Sequence, residues 1–301
     1  MIGVVFLLGC SKEGQGLVLE KEQEFLENEA YTGERFIEHA GLSRSYHLHV
    51  PENIPFGAPL VVVMHGYTSS AQNIMEYSEM NNLADEHQFV VLYPQGTQDR
   101  YGNSFFNVGY EFHASSSVND LDFVVDLIAE VSSEYHLSED VFATGMSNGG
   151  DMSFLLACKA AHLFKAVAPV AGTMMVELYE ECLPSNPVPI LEIHGTDDDI
   201  TYYEGDWSNE GGWGAYADIS SILDLWKELN STELFEQQEL EDIDSNDGST
   251  VVLERFWSED QAQEIWHYRV EGGGHDWPGS WGNKDIRATD EMWRFFQQYI
   301  D

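Results

Sequence analysis

The chain has 301 residues, of which 43% are hydrophobic, and α/β folds of this size are commonly single domains. It is strongly acidic, because 53 Asp and Glu residues against 13 Lys and Arg give a formal net charge of −40. This charge argues against nucleic-acid binding and against docking on anionic lipid through a basic patch, and it is typical of a solvated acidic surface.

The amino-terminal residues form an apolar run that ends in Leu7-Leu8-Gly9-Cys10. The run resembles a bacterial lipoprotein signal, in which Cys10 receives lipid. It is too short to span a bilayer and lacks a positive n-region, so either the true start lies upstream of Met1 or the resemblance is accidental. We expect a signal segment at 1–10, an acidic, structureless tether at 11–30, and an exported protein. It would be secreted, or anchored in the periplasm or at the cell surface through Cys10 alone.

Through the rest of the chain, continuous apolar runs alternate with segments in which apolar residues recur at helical spacing. Runs that are continuously apolar are typical of strands buried on both faces, and apolar residues three and four apart indicate one face of a helix. Alternating strands and helices imply right-handed crossovers and a mostly parallel sheet, here within one α/β domain at 31–301. The predicted strands are 44–50, 60–64, 89–93, 141–144, 166–170, 190–193 and 264–270, and the predicted helices are 80–87, 120–135 and 149–161.

The segment 141–150 reads as a strand, a Gly145-Met146-Ser147-Asn148-Gly149 turn and the start of a helix. A serine on so tight a turn needs small neighbours two residues away on each side, because a Cβ there would strike the strand or the helix. The turn exposes the hydroxyl and points the Asn148 amide at whatever the hydroxyl attacks. In this context the motif resembles the nucleophile elbow of the α/β-hydrolase fold, although a simple glycine-rich turn is the alternative.

A serine hydroxyl needs a base to take its proton and an acid to orient that base. In this fold the three residues follow the order Ser, Asp or Glu, His. Only His267 and His275 follow the acidic loop at 197–199. His267 lies in an alternating strand and is predicted to be structural. His275 lies in the glycine-rich loop 271–279, from which it can reach across the sheet edge, so it is the predicted base.

The acid should follow the carboxyl end of a strand between the serine and the histidine. Asp197, Asp198 and Asp199 follow the strand at 190–193, and spacing alone does not choose among them. His65 precedes this loop in the chain and is therefore predicted to be a packing residue.

An oxyanion site requires two N–H donors, each worth about 2.7–4 kcal/mol in comparable sites. The amide of Asn148 is one candidate. The loop after the strand at 60–64 supplies the other, and the Tyr67 amide is the predicted donor.

An aromatic-rich stretch follows the acidic loop, at the sheet edge where ligands bind in such folds. Exposed aromatic rings can stack on sugar rings or on a phenolic acyl group. The alternative is a lid that packs its own rings inward. Trp277 and Trp281 flank His275 and could wall the same pocket, whereas Trp226 and Trp293 follow helical patterns and are predicted to be core. The candidate substrate-binding residues are Tyr202, Tyr203, Trp207, Trp213 and Trp277.

If Cys10 is lipidated, Cys158 and Cys182 remain, and an even remainder in an exported protein permits one disulfide, with two buried thiols as the alternative. The acidic segment 242–248 looks like the start of a calcium loop. Its glycine is one place late for an EF-hand, so a turn is the better interpretation. No zinc spacing, Walker loop or dinucleotide fingerprint occurs, and no metal or cofactor is predicted.

Seven segments, taken in their order along the chain, are similar to the polyhydroxybutyrate-depolymerase-like esterases. This family includes feruloyl and acetylxylan esterases of carbohydrate esterase type 1. The resemblance covers about residues 40–300 and implies Asp198 as the acid, because the family pattern after His-Gly is two residues and then Asp. It also suggests that Cys158 and Cys182 occupy positions where many members have cysteines. Departures occur at 201–203, where members commonly have Val-Pro-Tyr, and in the longer aromatic stretch 202–216. The seven segments are 44–46, 59–66, 93–96, 120–124, 145–150, 194–198 and 272–278.

The residues and the resemblance together predict a serine carboxylic ester hydrolase with a Ser147, His275 and Asp198 triad and an acyl-enzyme. Its expected substrates are feruloyl or acetyl esters of polysaccharides, or hydroxyalkanoate esters. Two alternatives remain, namely a serine peptidase on the same fold and a non-catalytic surface-binding lipoprotein.

Overall fold

The structure is a computed structural model that describes residues 2–3, 25–260 and 262–301. The predicted lipidation site, Cys10, lies outside the described residues, as do positions 11–24 of the predicted tether. No helix in the described part is long and apolar enough to cross a bilayer.

The described residues form fourteen strands, numbered in chain order. They are β1 Ile2–Gly3, β2 Phe25–Leu26, β3 Tyr31–His39, β4 Leu42–Val50, β5 Leu60–Met64, β6 Val90–Pro94, β7 Thr97–Gln98, β8 Ser104–Phe105, β9 Val141–Met146, β10 Ala166–Val170, β11 Ile190–Gly195, β12 Leu234–Glu239, β13 Thr250–Trp257 and β14 Glu264–Glu271. Ten of them form one sheet in the order β12-β13-β14-β11-β10-β9-β5-β6-β4-β3. The six strands from β14 to β6 run parallel, and the flanking strands are antiparallel.

Seven α-helices in the described part of the chain cover the two faces of this sheet. They are α1 Ala71–Ser78, α2 Met80–His87, α3 Asp120–Tyr135, α4 Asn148–Lys159, α5 Val176–Glu181, α6 Ile219–Asn230 and α7 Ala288–Phe296, with short 3₁₀ helices at Glu111–His113, Ala161–Leu163 and Gln297–Tyr299. Successive side chains of a strand point to opposite faces. Val62 therefore packs with α3, α4 and α6, whereas Val61 and Val63 pack with α1, α2 and α7.

The predicted α/β-hydrolase architecture is confirmed, and the strands at 60–64 and 166–170 and the helices at 80–87 and 120–135 have the predicted bounds. Trp226 and Trp293 are buried in the core, as predicted. The acidic segment 242–248 is the connection between β12 and β13.

The predicted tether is wrong for residues 25–30, which are docked on the domain. The Leu26 amide donates to Ile54 O at 2.9 Å. The Asn28 side chain donates to Pro51 O at 2.8 Å and accepts from the Ile54 amide at 3.0 Å. The apolar pair Phe25 and Leu26 is half-buried in an otherwise acidic stretch, so this part of the chain gains from packing.

Cys158, on α4, and Cys182, directly after α5, form a disulfide with a Cα–Cα distance of 5.2 Å. The bridge closes a loop with a sequence separation of 24 residues, which contains β10 and α5. Such a cross-link restricts the unfolded chain more than the folded one, and both cysteines are buried.

We expect the C158S/C182S double variant to lose about 3 kcal/mol of unfolding free energy, the typical effect of a loop of this size. Urea unfolding of the oxidised protein and the variant measures the difference. Wild-type protein unfolded under reducing conditions is the control and should match the variant. Equal stabilities of the oxidised protein and the variant would contradict a stabilising bridge.

Candidate active site

Ser147 occupies the sharp turn between β9 and α4, with φ 56° and ψ −121°. This left-handed conformation is rare for a residue with a side chain and is the geometry of a nucleophile elbow. A Cβ on Gly149 would lie 2.0 Å from Met64 O, and one on Gly145 would lie 2.5 Å from the Gly149 carbonyl carbon. Glycine is therefore required at both positions. The Ser147 amide donates to Val170 O at 2.8 Å, which ties the turn to β10.

His275 and Asp198 meet at the same edge of the sheet. His275 Nδ1 lies 2.7 Å from Asp198 Oδ2, and Asp198 Oδ1 accepts from the amides of Ile200 and Thr201, each at 2.8 Å. Of the three successive aspartates, Asp198 is buried, and its two neighbours are exposed. Burial opposes its ionisation, but hydrogen bonds from His194 and His275 outweigh burial and hold the pKa of Asp198 well below its ordinary value.

The sheet order places the three candidate residues after neighbouring parallel strands. Ser147 follows β9, Asp198 follows β11 and His275 follows β14, and only β10 separates the first of these strands from the second. Within the described residues, Ser147 Oγ has no hydrogen bond, to His275 or to any other group. A serine–histidine hydrogen bond is often long or poorly aligned before the substrate complex forms.

The predicted oxyanion donors border the same turn. Asn148 is the first residue of α4, so its amide has no acceptor within the helix. The Tyr67 amide has no acceptor in the described part of the chain. A Cβ on Gly66 would lie 3.4 Å from the Ser147 Cβ, which places this loop directly beside the serine. The Tyr67 hydroxyl donates to Asp99 Oδ2 at 2.7 Å and thereby fixes the loop.

His65 is buried in the loop after β5. Its Nε2 accepts from the Gly96 amide at 3.0 Å, and its Nδ1 donates to Gly66 O at 2.8 Å. Burial lowers the pKa of His65 to about 4, so the ring is neutral and carries one proton. His65 therefore packs and orients the loop that presents Tyr67, in agreement with its predicted role.

A narrow cleft with a cavity volume of about 10 Å³ lies against Ser147, roughly the room of one water molecule. Its aromatic wall includes Trp213, whose ring meets the ring of Tyr67 edge-on at 5.7 Å. The other lining residues come from several loops and from α4, and most were not predicted. They are Tyr110, Asp151, Thr173, Met175, Ile200, Thr201 and Tyr216.

Asp151 is a buried carboxylic acid one helical turn after Ser147. Its Oδ2 accepts from the Tyr110 hydroxyl at 2.5 Å, and its Oδ1 accepts from the Thr173 amide at 2.6 Å. Burial raises the pKa of Asp151 to about 7. Its i+4 spacing from the serine, at the start of a helix whose middle is largely apolar, was a signal that could have identified it.

The other predicted aromatic residues lie outside the cleft lining. Tyr202 and Trp207 are exposed, and the Trp207 indole donates to Asp218 Oδ2 at 3.1 Å. The Tyr203 hydroxyl lies 3.0 Å from Nε2 of His267, a buried residue of β14. The prediction that Trp277 walls the pocket is wrong, because Trp277 is only 1% exposed and its indole donates to Thr289 Oγ1 at 3.2 Å.

Comparison with known proteins relates the chain to esterases. The sequence model of the family described as Esterase PHB depolymerase matches residues 44–183. A protein named "Putative esterase NocK" from Nocardia uniformis subsp. tsuyamanensis is 27% identical over 83% of this chain and 75% of its own length. The "Bifunctional acetylxylan esterase/xylanase XynS20E" of Neocallimastix patriciarum is 27% identical over 54% of this chain, but the match spans only 23% of that protein.

Solved structures share the fold. The "Acetyl xylan esterase from Aspergillus awamori" superposes with a TM-score of 0.58 over 88% of this chain and 99% of that chain, at 16% sequence identity. This likeness concerns the fold, since the identity is low. By sequence the protein is therefore an esterase related to the Esterase PHB depolymerase family, and by fold it is an α/β hydrolase.

Proposed function

We propose that the protein hydrolyses carboxylic esters through Ser147, His275 and Asp198. The proposal rests above all on the 2.7 Å contact between His275 Nδ1 and the buried carboxylate of Asp198, at the sheet edge that also presents Ser147. The carboxylate selects the tautomer in which His275 Nε2 is free to accept a proton. The serine conformation, with φ 56°, is the second support, because such strain persists where the turn must present a hydroxyl.

In the proposed reaction, Ser147 Oγ attacks the ester carbonyl while His275 takes the hydroxyl proton. The oxygen of the tetrahedral intermediate accepts hydrogen bonds from the Asn148 and Tyr67 amides, and their lack of acceptors among the described residues supports this role. The imidazolium of His275 then gives its proton to the leaving alkoxide. Water attacks the acyl-enzyme with His275 again as the base, and the acid product leaves.

The substrate we propose is an ester with a small acyl group, of which acetyl on a polysaccharide hydroxyl is the leading case. A cleft of about 10 Å³ beside Ser147 supports acetyl over the larger feruloyl group. One relative is named as an acetylxylan esterase, which supports acetyl esters as the substrate class. Hydroxyalkanoate esters are the next candidate, because their acyl chain is also short.

We also propose that the protein is exported. The disulfide between Cys158 and Cys182 supports this location, because such bonds form and persist in oxidising compartments. The segment that ends in Cys10 would supply a lipid anchor.

Ser147→Ala should reduce hydrolysis of p-nitrophenyl acetate by at least about 10⁴-fold, because no other group would form the acyl-enzyme. Turnover and fluorophosphonate labelling are the measurements. Ser153→Ala is the matched control, since Ser153 lies on the same helix and its hydroxyl donates to Gly149 O at 2.9 Å. Labelling that persists in the Ser147 variant would contradict the proposed nucleophile, and an amide probe cleaved as fast as the ester would favour a peptidase.

Trp213→Ala should widen the cleft and raise the rate on methyl ferulate relative to p-nitrophenyl acetate by about 10-fold or more, the usual scale of steric discrimination. Trp207→Ala is the control, because Trp207 belongs to the same aromatic stretch but is exposed and lies outside the lining. The ratio of kcat/KM values on the two esters is the measurement. A similar ratio in both variants would show that Trp213 does not limit the acyl group.

A further inference from the structure

Three ionisable side chains lie buried behind Asp198, in the sheet itself. Glu192 and His194 are two residues apart on β11 and face the same side, and His267 lies on the adjacent strand β14. All three are at most 1% exposed. Buried charged groups are costly unless they are paired, so this cluster needs a reason.

The contacts of His194 define its protonation state. Its Nδ1 lies 3.1 Å from Glu192 Oε1, and its Nε2 lies 2.8 Å from the Thr201 carbonyl oxygen and 3.4 Å from Asp198 Oδ2. Both ring nitrogens therefore face only acceptors, and both must carry hydrogen for the contacts to be favourable. His194 is thus an imidazolium between two carboxylates.

The electrostatics agree with this geometry. Burial works against a charged ring, but hydrogen bonds to Asp198 and Glu192 outweigh it and raise the pKa of His194 to about 10. Glu192 is similarly held ionised, because the charges of His267 and His194 lower its pKa despite complete burial.

Glu192 fixes the far side of the cluster. Its Oε2 lies 2.5 Å from His267 Nδ1. His267 Nε2 in turn lies 3.0 Å from the Tyr203 hydroxyl. His194 therefore cannot turn away from Asp198 without leaving Glu192 without its hydrogen-bond partner.

We propose that His194 is a positioning residue of the esterase, a constantly charged imidazolium that keeps Asp198 ionised and aimed at His275 and that moderates the basicity of His275. The proposal rests on the proposed function and extends it. Asp198 Oδ2 is shared between two histidines, His275 at 2.7 Å and His194 at 3.4 Å. A carboxylate with a second cation beside it attracts a proton onto His275 less strongly than an uncompensated one would.

The groups that face these two histidines come from every neighbouring element. Glu192 on β11, Asp198 in the following loop, Tyr203 before α6 and Asp151 on α4 all act on His194 or feel its charge. Asp198, Asp151 and the adjacent Asp276 likewise interact electrostatically with His275. Apart from the histidines these groups are acids, and His194 is the histidine that contacts both Glu192 and Asp198, so its removal leaves both carboxylates with one histidine fewer.

The test is the pH dependence of kcat/KM for His194→Gln, which keeps a donor beside Asp198 and Thr201 but removes the charge. We expect the acidic limb of the profile to move up by about one pH unit and kcat/KM at the optimum to fall about 10- to 100-fold. His49→Gln is the matched control. His49 is a buried histidine on β4, away from the site, and its Nε2 lies 3.1 Å from Asp85 Oδ1. Its substitution should leave the acidic limb of the pH profile unchanged. An acidic limb that stays in place in a folded His194→Gln protein would overturn the proposal.

The double variant E192Q/H194Q covers the case in which the single variant does not fold. It removes one positive and one negative charge together, so the buried site keeps its net charge. We expect a smaller upward shift of the acidic limb than in the single variant, because the negative charge of Glu192, which contacts His194, is removed together with the positive charge. A double variant with the wild-type profile would also overturn the proposal.

A second readout does not depend on activity and separates this proposal from the proposed function. Because the pKa of His194 rises from an ordinary 6.5 to about 10 on folding, its contribution to stability is complete below pH 6.5 and is lost as the pH rises to about 10. The free energy of unfolding of the wild type should therefore fall more between pH 6.5 and 10 than that of E192Q/H194Q. Equal slopes would contradict the charged His194, whereas a wild type that shows this slope but hydrolyses no ester would contradict only the proposed function.

Discussion

The site depends on how closely helix α4 approaches the strands beneath it. A Cβ on Gly149 would fall 2.0 Å from Met64 O, and a Cβ on Gly150 would fall 2.9 Å from the Gly172 Cα. Backbone from the ends of β5, β9 and β10 therefore meets without intervening side chains. This contact brings Gly66, which precedes Tyr67, beside Ser147, which precedes Asn148. Larger residues at these glycines would separate the proposed nucleophile from its proposed oxyanion donors.

The distribution of charge differs between the surface and the interior. The chain has a formal net charge of −40, yet two of the buried acids near the site, Asp198 and Glu192, are individually compensated. Asp198 has two histidines and two amides, and Glu192 has two histidines. Burial raises the pKa of Asp151, and no cationic side chain contacts Asp151 within the described residues. In a low-dielectric interior, contact with histidine side chains decides whether a carboxyl group stays charged.

Periodicity and chain order were enough to predict the parallel sheet and to select Ser147 and His275 as candidates. Continuous apolar runs, such as β5, identify strands buried on both faces, and the glycine spacing around Ser147 identifies the turn. Asp198 could be chosen among three aspartates only through the family resemblance, because burial depends on the loop conformation and not on spacing. The structure leaves Asp198 as the buried member.

The cleft residues could not be predicted in the same way, because they come from loops that meet only after folding. Trp213 and Trp277 have similar sequence surroundings, with glycines and acids nearby, but one lines the cleft and the other is buried behind Thr289. The role of Glu192 and His194 did leave a signal. Glu192 and His194 alternate at the end of a strand whose other side chains are apolar, which indicates a paired buried site rather than a solvated face.

The first turn of α4 combines two tasks that are separate in the sequence. It holds Ser147 in its strained conformation, and it also fixes the walls of the cleft. Asn148 pairs with both backbone groups of Phe106, accepting from the amide at 2.7 Å and donating to the carbonyl at 3.0 Å. Asp151 similarly accepts from Tyr110 and from the Thr173 amide. The loops that shape the cleft are therefore anchored to the helix that positions the serine, so cleft geometry and nucleophile position cannot vary independently. A substitution that loosens either anchor should alter substrate size preference and turnover together, whereas changes at exposed Tyr202 or Trp207 should alter neither.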